Sequence, residues 1–572
     1  MPKIKINNIE MFVETGTTIL DAAKEHNINI PTLCHYPDLN INSDCRICSV
    51  EIIGRKGLVT ACSTPVYEGM EVKVNSPRAL NARKAITEMI LANHDANCTS
   101  CVRNMNCELQ RLADNLGIHR SRFDSVLNEM PLDTSSYSLV RNPNRCIKCG
   151  RCVDVCANIQ GIGVLDIMGR SRDSIISPAF NKALTEIFCT YCGQCSSVCP
   201  VGAITEKDDT DEVWHVLDDP DKHVIVQVAP AIRVSLGEEL GLPLGSIVTG
   251  KLISALKMLG FSKVFDTDFT ADLTVMEEGY ELINRIKNKG KLPLITSCCP
   301  AWINFAEHEF PEILDNLSSC KSPQQMFGAL AKSYYAQRED IDPKKIHVVS
   351  IMPCTAKKTE AKRSEMSINQ EDPDVDTVLT TRELAKMIKQ MGIDFNNLKE
   401  SKFDKPDELT SGAAIIFGAS GGVMEAALRT VKEVLEGKPL KRIDFDSIRG
   451  SETIREADIE INDVQYKIAI AHTLSSARKI AQQIKDGVSP YHFIEIMACP
   501  NGCVGGGGQP YATSSKLSRE RIQSIYQVDR LMKIRKAHDN PAVSNLYTSY
   551  LGEPGSHIAH KLLHTHYHQK KF

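Results

Sequence analysis

The chain has 572 residues, a formal net charge of −4 and 24% charged residues, so no basic excess points to nucleic acid or to an anionic membrane surface. No stretch approaches the roughly 20 apolar residues that span a bilayer, and the opening MPKIKINNIEMFVETG carries charges where a secretory signal needs an apolar core. The 21 cysteines, many in repeated C-x-x-C pairs, are therefore expected as reduced, metal-binding thiolates in the cytoplasm and not as disulfides.

In chain order, residues 1–77 read as a small β-rich unit. KIKI, MFVET and EVKVN alternate as strands, and TTILDAAKEHN is a short helix opened by threonine. Residues 78–125 turn helical in ALNARKAITEMILANH and CELQRLADNLG. A polar stretch then leads, within 126–208, into two copies of C-x2-C-x2-C-x3-C, one from Cys146 and one from Cys189. From 209 to 572 apolar segments alternate with amphipathic helices, which predicts an α/β domain with parallel strands. HVIVQVAP, KVFDTDF, LPLITS, IHVVSIMP, AAIIFG and YKIAIA are the expected strands, and several run straight into loops that bear chemistry.

Nineteen of the 21 cysteines fall, with one histidine, into five groups. These are Cys34/Cys45/Cys48/Cys62, His94/Cys98/Cys101/Cys107, Cys146/Cys149/Cys152/Cys156, Cys189/Cys192/Cys195/Cys199, and the scattered Cys299, Cys354, Cys499 and Cys503. Soft thiolates in sets of four suit iron–sulfur clusters, whereas two interleaved four-cysteine runs are not a zinc-ribbon spacing. His94 lies four residues before Cys98, at a helix-to-loop edge, where an imidazole can serve as the fourth ligand.

The twin runs resemble bacterial ferredoxins, in which the fourth cysteine of each run serves the other cluster. Carried over, Cys146, Cys149, Cys152 and Cys199 hold one 4Fe-4S cluster, and Cys189, Cys192, Cys195 and Cys156 hold another. The first group, C-x10-C-x2-C-x13-C, resembles the 2Fe-2S domain that opens the large iron–sulfur subunit of respiratory complex I. The second, H-x3-C-x2-C-x5-C, resembles the His-ligated 4Fe-4S site that follows it there. TSCCPAW (296–302), MPCTAKKTE (352–360) and EIMACPNGCVGGGGQP (495–510) resemble the three signature loops of the FeFe (iron-only) hydrogenases.

That resemblance, over essentially the whole chain, implies a multidomain α+β and α/β fold. Its parts are a β-grasp 2Fe-2S domain (1–77), a small helical His/Cys3 4Fe-4S domain (78–125), a two-4Fe-4S ferredoxin-like domain (126–208) and a large α/β H-cluster domain (209–572). The implied H-cluster is a 4Fe-4S cube held by Cys299, Cys354, Cys499 and Cys503, with Cys503 bridging to a two-iron unit bearing CO, cyanide and an azadithiolate. One 2Fe-2S and three 4Fe-4S accessory clusters complete the implied set. Lys357 is expected to donate to a cyanide, Met352 and Met497 to line the two irons, and Pro230, Ala231 and Gln324 to contact the cofactor. For either methionine plain core packing is the competing reading. Gly505 to Gly508 lack the strand–G-x-G-x-x-G–helix context of a nucleotide loop and are expected to let backbone approach the cluster.

Cys298 adjoins the ligand Cys299 and is implied as a proton-exchanging thiol. Glu278, Glu281 and Arg285 share one helix face by spacing. They are either a solvated salt-bridge row or, with Ser318, the outer part of a proton route. Two departures from the family pattern are Ala231, where a serine is common, and Cys320, where alanine is. Cys320 is either an inert buried thiol or an additional redox-sensitive group. The tail HIAHKLLHTHYHQKKF, with five of the 16 histidines, reads as an amphipathic segment packed on the large domain and not as a metal site. The expected activity is reversible interconversion of H2 with protons and electrons. The electron partner is ferredoxin or an NAD(P)-binding flavoprotein subunit. A low-turnover H2 sensor and a non-catalytic electron-transfer subunit are the alternatives.

Overall fold

The protein is described from a computed structural model that covers all residues except 126, 128, 369–371, 405–408, 512–515 and 571–572. The N-terminal strands order as Ile9–Phe12, Lys3–Ile6, Glu71–Lys73, Ser49–Ile52 and Leu58–Thr60 in one five-stranded sheet. Helix Ile19–Glu25, capped by the Thr18 hydroxyl on Asp21 N–H, packs Ile19, Ala22 and Ala23 against Ile4, Ile6, Val50 and Val72. Ser76 caps the next helix, Pro77–Ala92, with proline at its first turn. Its Arg83 is 1% exposed and donates to the carbonyls of Ser49 and Val74, both at 2.8 Å, which ties this helix to the sheet.

The internal repeat is a repeat of backbone conformation as well as of cysteine spacing. Lys148 and Tyr191, at equivalent places in the two runs, have φ of 57° and 56°, and Gly150 and Gly193 have φ of 76° and 73°. The chain therefore curls inward twice in the same way. In each run the N–H two residues on turns back to the first sulfur, Lys148 N to Cys146 Sγ and Tyr191 N to Cys189 Sγ, both at 3.4 Å. Such inward-facing N–H groups form a concavity suited to an anionic cluster. Helices Arg151–Asp154 and Gln194–Val198 follow the two glycines, and strands Leu139–Arg141 and Ile204–Glu206 close the unit as an antiparallel pair.

The large α/β region holds two four-stranded sheets. One orders Lys263–Asp266, His223–Val228, Ile346–Met352 and Thr377–Thr380, all parallel. The other orders Leu294–Ile295, Phe493–Met497, Val464–His472 and Ile454–Ile461, parallel except for the last, which returns antiparallel. The expected strand AAIIFG is not one. It forms helix Gly412–Ile415 and a tight turn Ile416–Gly418, with Ser411 capping on Ala413 N–H. A fully buried apolar run reads the same in either conformation, and here the serine cap decides. The tail is packed: helix His557–Leu563 sets Ala559, Leu562 and Leu563 against Phe269, Leu273 and Met326.

The ferredoxin-like unit docks on the large region through polar contacts beside the cysteines. Thr355 Oγ1 donates to Tyr191 O at 2.8 Å, Asn304 Nδ2 to Cys189 O at 2.9 Å and Gln194 Nε2 to Gly505 O at 2.9 Å. The glycine run lies at this same contact. A Cβ on Gly507 would lie 2.3 Å from Cys192 O and 2.7 Å from Gly193 Cα, and one on Gly506 would lie 2.1 Å from Pro353 O. What approaches these glycines is the backbone of the loops that carry Cys192 and Cys354. Gly507→Ala is accordingly expected to force the two loops apart. It should lower stability by about 1–3 kcal/mol and, on the electron route the resemblance implies, slow turnover with a protein electron donor more than with a small dye, as thermal melting and turnover assays would measure.

Candidate active site

The fourth cysteine of each ferredoxin-like run reaches across to the other. Cys146, Cys149, Cys152 and Cys199 line one cavity, with Pro143, Val201 and Ile204. Cys189, Cys192, Cys195 and Cys156 line a second, with Gln160 and Leu165. In the N-terminal unit the thiols of Cys34 and Cys45 hydrogen-bond, and Cys48 Sγ lies 3.3 Å from Cys62 Sγ. His94 follows directly on helix Pro77–Ala92 and its cap Asn93, and burial lowers its pKa and keeps the ring neutral. Its Nδ1 is buried without a hydrogen-bond partner among the described residues, the state of an imidazole ready to ligate a metal. Cys107 opens helix Glu108–Asn115, while Cys98 and Cys101 sit on the turn Cys98–Ser100 and just after it.

These sites are contiguous. A cleft joins Cys45 to Cys146 and Cys149, beside Ile86 and Met89. Cys101 Sγ lies 2.8 Å from where a Cβ of Gly202 would be, three residues past Cys199. Both N-terminal groups therefore abut the first ferredoxin-like site, and Cys192 of the second lies within electrostatic range of Cys299 and Cys499.

Cys299, Cys354, Cys499 and Cys503 converge from both sheets. Three of them follow the C-terminal ends of parallel strands Leu294–Ile295, Ile346–Met352 and Phe493–Met497, where α/β folds place their sites. Cys503 starts the turn Cys503–Gly505, and Ala498 N–H donates to Cys299 Sγ at 3.4 Å. Burial pushes the Cys354, Cys499 and Cys503 thiols up, and neighbouring cysteines push them further. Four thiols in such a place become ligands only with a cation that offsets their charge, so the set fits iron. Beside Cys298 and Cys503, Ala231, Phe417, Met497 and Val504 form an apolar wall. Phe417 was hidden in the segment read as a strand. Pro230 and Ala231 are buried in the turn Pro230–Val234. Met352, 3% exposed, packs in the core of the first sheet.

Lys357 Nζ donates to Cys298 O at 3.1 Å and to both oxygens of Glu360, at 3.0 and 2.8 Å. Burial works against its charge, but Glu360 outweighs burial and holds the ammonium. Gln324 Nε2 donates to the same Glu360 at 3.1 Å, leaving its buried Oε1 without a partner among the described residues. Glu360 was missed from sequence, although its place three residues after Lys357 on helix Ala356–Glu360 was the available signal.

From Cys298 outward the structure brings the expected acidic row together. Glu278 Oε1 accepts from Ser297 N–H at 3.4 Å, and Ser318 Oγ donates to Glu281 Oε2 at 3.0 Å. Arg285 Nη2 donates to Glu281 Oε1 at 2.6 Å and to Leu317 O at 3.0 Å, near the surface. The row is no solvated face at its inner end. Glu278 is 1% exposed, and burial, reinforced by the charge of Glu281, pushes it up to about 8. Burial also pushes Cys298 up. Cys320 is fully buried, with Sγ 4.0 Å from His564 Nδ1.

Comparison with known proteins agrees with this geometry. Residues 222–507 match the model of the iron only hydrogenase large subunit, C-terminal domain, and 515–570 that of the iron hydrogenase small subunit. Residues 2–77 match a 2Fe-2S iron-sulfur cluster binding domain and 83–122 the NADH-ubiquinone oxidoreductase-G iron-sulfur binding region. Residues 138–205 match the ferredoxin-like domain of NADH-quinone oxidoreductase subunit 3. The chain is 47% identical to NADP-reducing hydrogenase subunit HndD of Solidesulfovibrio fructosivorans, over 100% of its own length and 99% of the relative's. It is 41% identical to iron hydrogenase 1 of Clostridium pasteurianum, over 99% and 100%. A solved structure of the FeFe hydrogenase HydA1 from Chlamydomonas reinhardtii superposes with TM-score 0.58 and 40% identity, covering 64% of this chain and 99% of that one. The chain thus belongs to the FeFe (iron-only) hydrogenases, in a form that carries 2Fe-2S and 4Fe-4S domains ahead of the hydrogenase domain.

Proposed function

We propose that this chain interconverts H2 with protons and electrons at a site held by Cys299, Cys354, Cys499 and Cys503. The reading rests on one juxtaposition: a buried four-cysteine set with a cysteine-lined site on one side and an acidic row on the other. The group proposed there is the H-cluster, a 4Fe-4S cube with a two-iron unit bearing CO, cyanide and azadithiolate, which supplies the two-electron chemistry when bound. The protein's part is to orient, exclude water and move protons. Lys357, charged because Glu360 holds it, offers a buried donor for an anionic ligand. Ala231, Phe417, Met497 and Val504 keep water out.

Cys298 is the proposed inner proton carrier, and Glu278, Ser318, Glu281 and Arg285 lead outward from it. Glu278 is suited to the task because its raised pKa keeps a proton on it at neutral pH. Cys34, Cys45, Cys48 and Cys62 would hold a 2Fe-2S group, and His94, Cys98, Cys101 and Cys107 a 4Fe-4S group, which would supply electron entry; the ferredoxin-like pair, whose second site adjoins the catalytic cysteines, would supply the link to the catalytic site. Likeness to an NADP-reducing hydrogenase subunit, together with the complex I-like front end, favours an NAD(P)-binding flavoprotein partner over free ferredoxin. A cytoplasmic location suits that partner, and among the described residues no helix is long and apolar enough to cross a membrane.

Cys298→Ala is expected to keep the infrared bands of bound CO and cyanide while losing about 10²–10⁴-fold in turnover; wild-type turnover would refute the proton route. Cys156→Ser should abolish the cluster of the second run and spare that of the first, and Cys199→Ser the reverse, read by electron paramagnetic resonance of the reduced holoenzyme. The opposite assignment would mean that each run fills its own cluster. Because burial raises Glu278, its neutral form persists up to about 8 and ionises above. H2 evolution at fixed driving potential should therefore break downward as pH rises through about 8, and the break should vanish in the uniformly slow Glu278→Gln.

A further inference from the structure

The acidic row does not end at Arg285. Glu281 Oε2, which accepts from Ser318, also accepts from Ser319 N–H at 3.2 Å and lies 3.5 Å from Ser319 Oγ. Ser319 Oγ is 2.8 Å from His564 Nδ1, and the other ring nitrogen, Nε2, is 3.0 Å from Glu277 Oε2. Glu277 is fully buried and is held in place by the Tyr547 hydroxyl at 2.5 Å and by Gly555 N–H at 2.9 Å. His560, one turn earlier in the tail, stacks on His564 with centroids 4.8 Å apart and planes 2° apart, and both His560 and His566 are exposed. His564 is thus a nearly buried imidazole with both nitrogens engaged, set between two carboxylates of the long helix Thr267–Lys287 and backed by a histidine that meets solvent.

We propose that His564, supplied by the segment that matches the iron hydrogenase small subunit, is a proton store on a second branch of the path that meets the first at Glu281. The inference rests on the acidic row being the proton route. When the ring carries both protons, Nδ1–H donates to Ser319 Oγ and the Ser319 O–H turns to Glu281 Oε2. One proton then passes from Nδ1 to Ser319 as the Ser319 proton passes to Glu281. Imidazolium becomes imidazole, carboxylate becomes carboxylic acid, and no electron moves. The reverse shift takes a proton away from Glu281 during H2 oxidation. That same reverse shift, from protonated Glu281 through Ser319 to Nδ1, reloads the ring.

The groups that face His564 suit this exchange. Glu277 on the long helix meets Nε2, Ser319 links Nδ1 to Glu281 on the same helix, Cys320 on the neighbouring loop lies 4.0 Å away, and His560 of the tail stacks on the ring with His566 next to it. A hydrogen-bonding role alone does not require a histidine here, since an amide can hold Ser319. Carrying a proton does.

Three variants of the holoenzyme, each checked for intact infrared bands and unchanged melting, separate the possibilities. His564→Asn keeps a polar atom toward Ser319 but cannot carry charge. It is expected to lose about tenfold in turnover and to shift the pH midpoint of the protonated-carboxyl infrared band of Glu281, identified by its loss in Glu281→Gln. His564→Ala should lose as much and regain turnover with added imidazole, which restores a proton carrier but not packing. Wild-type turnover and an unchanged carboxyl midpoint in His564→Asn, with Glu281→Gln slow, would overturn the branch and leave the main route standing. A fully active Glu281→Gln would overturn both.

Discussion

The ferredoxin-like and catalytic sites are organised around thiols that burial keeps from carrying charge unaided. Burial raises Cys146, Cys149 and Cys152 at one ferredoxin-like site and Cys156, Cys189, Cys192 and Cys195 at the other, and it raises Cys354, Cys499 and Cys503 as well. Such sites are costly until a cation compensates them, so the fold and its metals are one thermodynamic unit. The chain meets this constraint twice with the same local device, a left-handed residue and a left-handed glycine that curl N–H groups toward sulfur. At the catalytic site it uses a different solution. There the ends of strands from two sheets deliver the cysteines one at a time, and the glycine run lets the bearing loops lie against each other.

The same avoidance of water that makes the cysteines costly gives the acidic row its chemistry. Glu278 and Glu281 share one helix face, Glu278 sealed and raised by burial, Glu281 partly exposed and bonded by Ser318, Ser319 and Arg285. Lys357 shows the opposite balance, a buried cation kept charged by one nearby carboxylate. On the proposed reading, electrons and protons reach the four-cysteine site past different residues. The cysteine-lined cavity meets it at Cys299 and Cys499, whereas the row of carboxylates meets it at Cys298.

The metal groups were legible because ligand spacing is local chemistry. Both C-x2-C-x2-C-x3-C runs, the lone His94 and the three cysteine-bearing loops could be picked out without coordinates. So could most strands, since an apolar segment of parallel sheet leaves a continuous signature, as in HVIVQVAP and IHVVSIMP. AAIIFG failed because burial on all sides erases the periodicity that separates helix from strand. Glu360 failed because a lysine–glutamate pair at helical spacing is usually a surface pair, and only its burial gives it weight.

Sequence by itself determined the grouping of the cysteines, the α/β class of the large region and the family to which the chain belongs. It determined these because each is set by residue type and short-range spacing. Only the tertiary structure decided that the glycine run serves loop packing, that Glu278 keeps its proton while Lys357 keeps its charge, and that the tail brings His564 to Ser319, beside Glu281. Those outcomes depend on what lies within a few ångströms across hundreds of residues of chain, and on how much water burial removes. Neither quantity is written in local sequence.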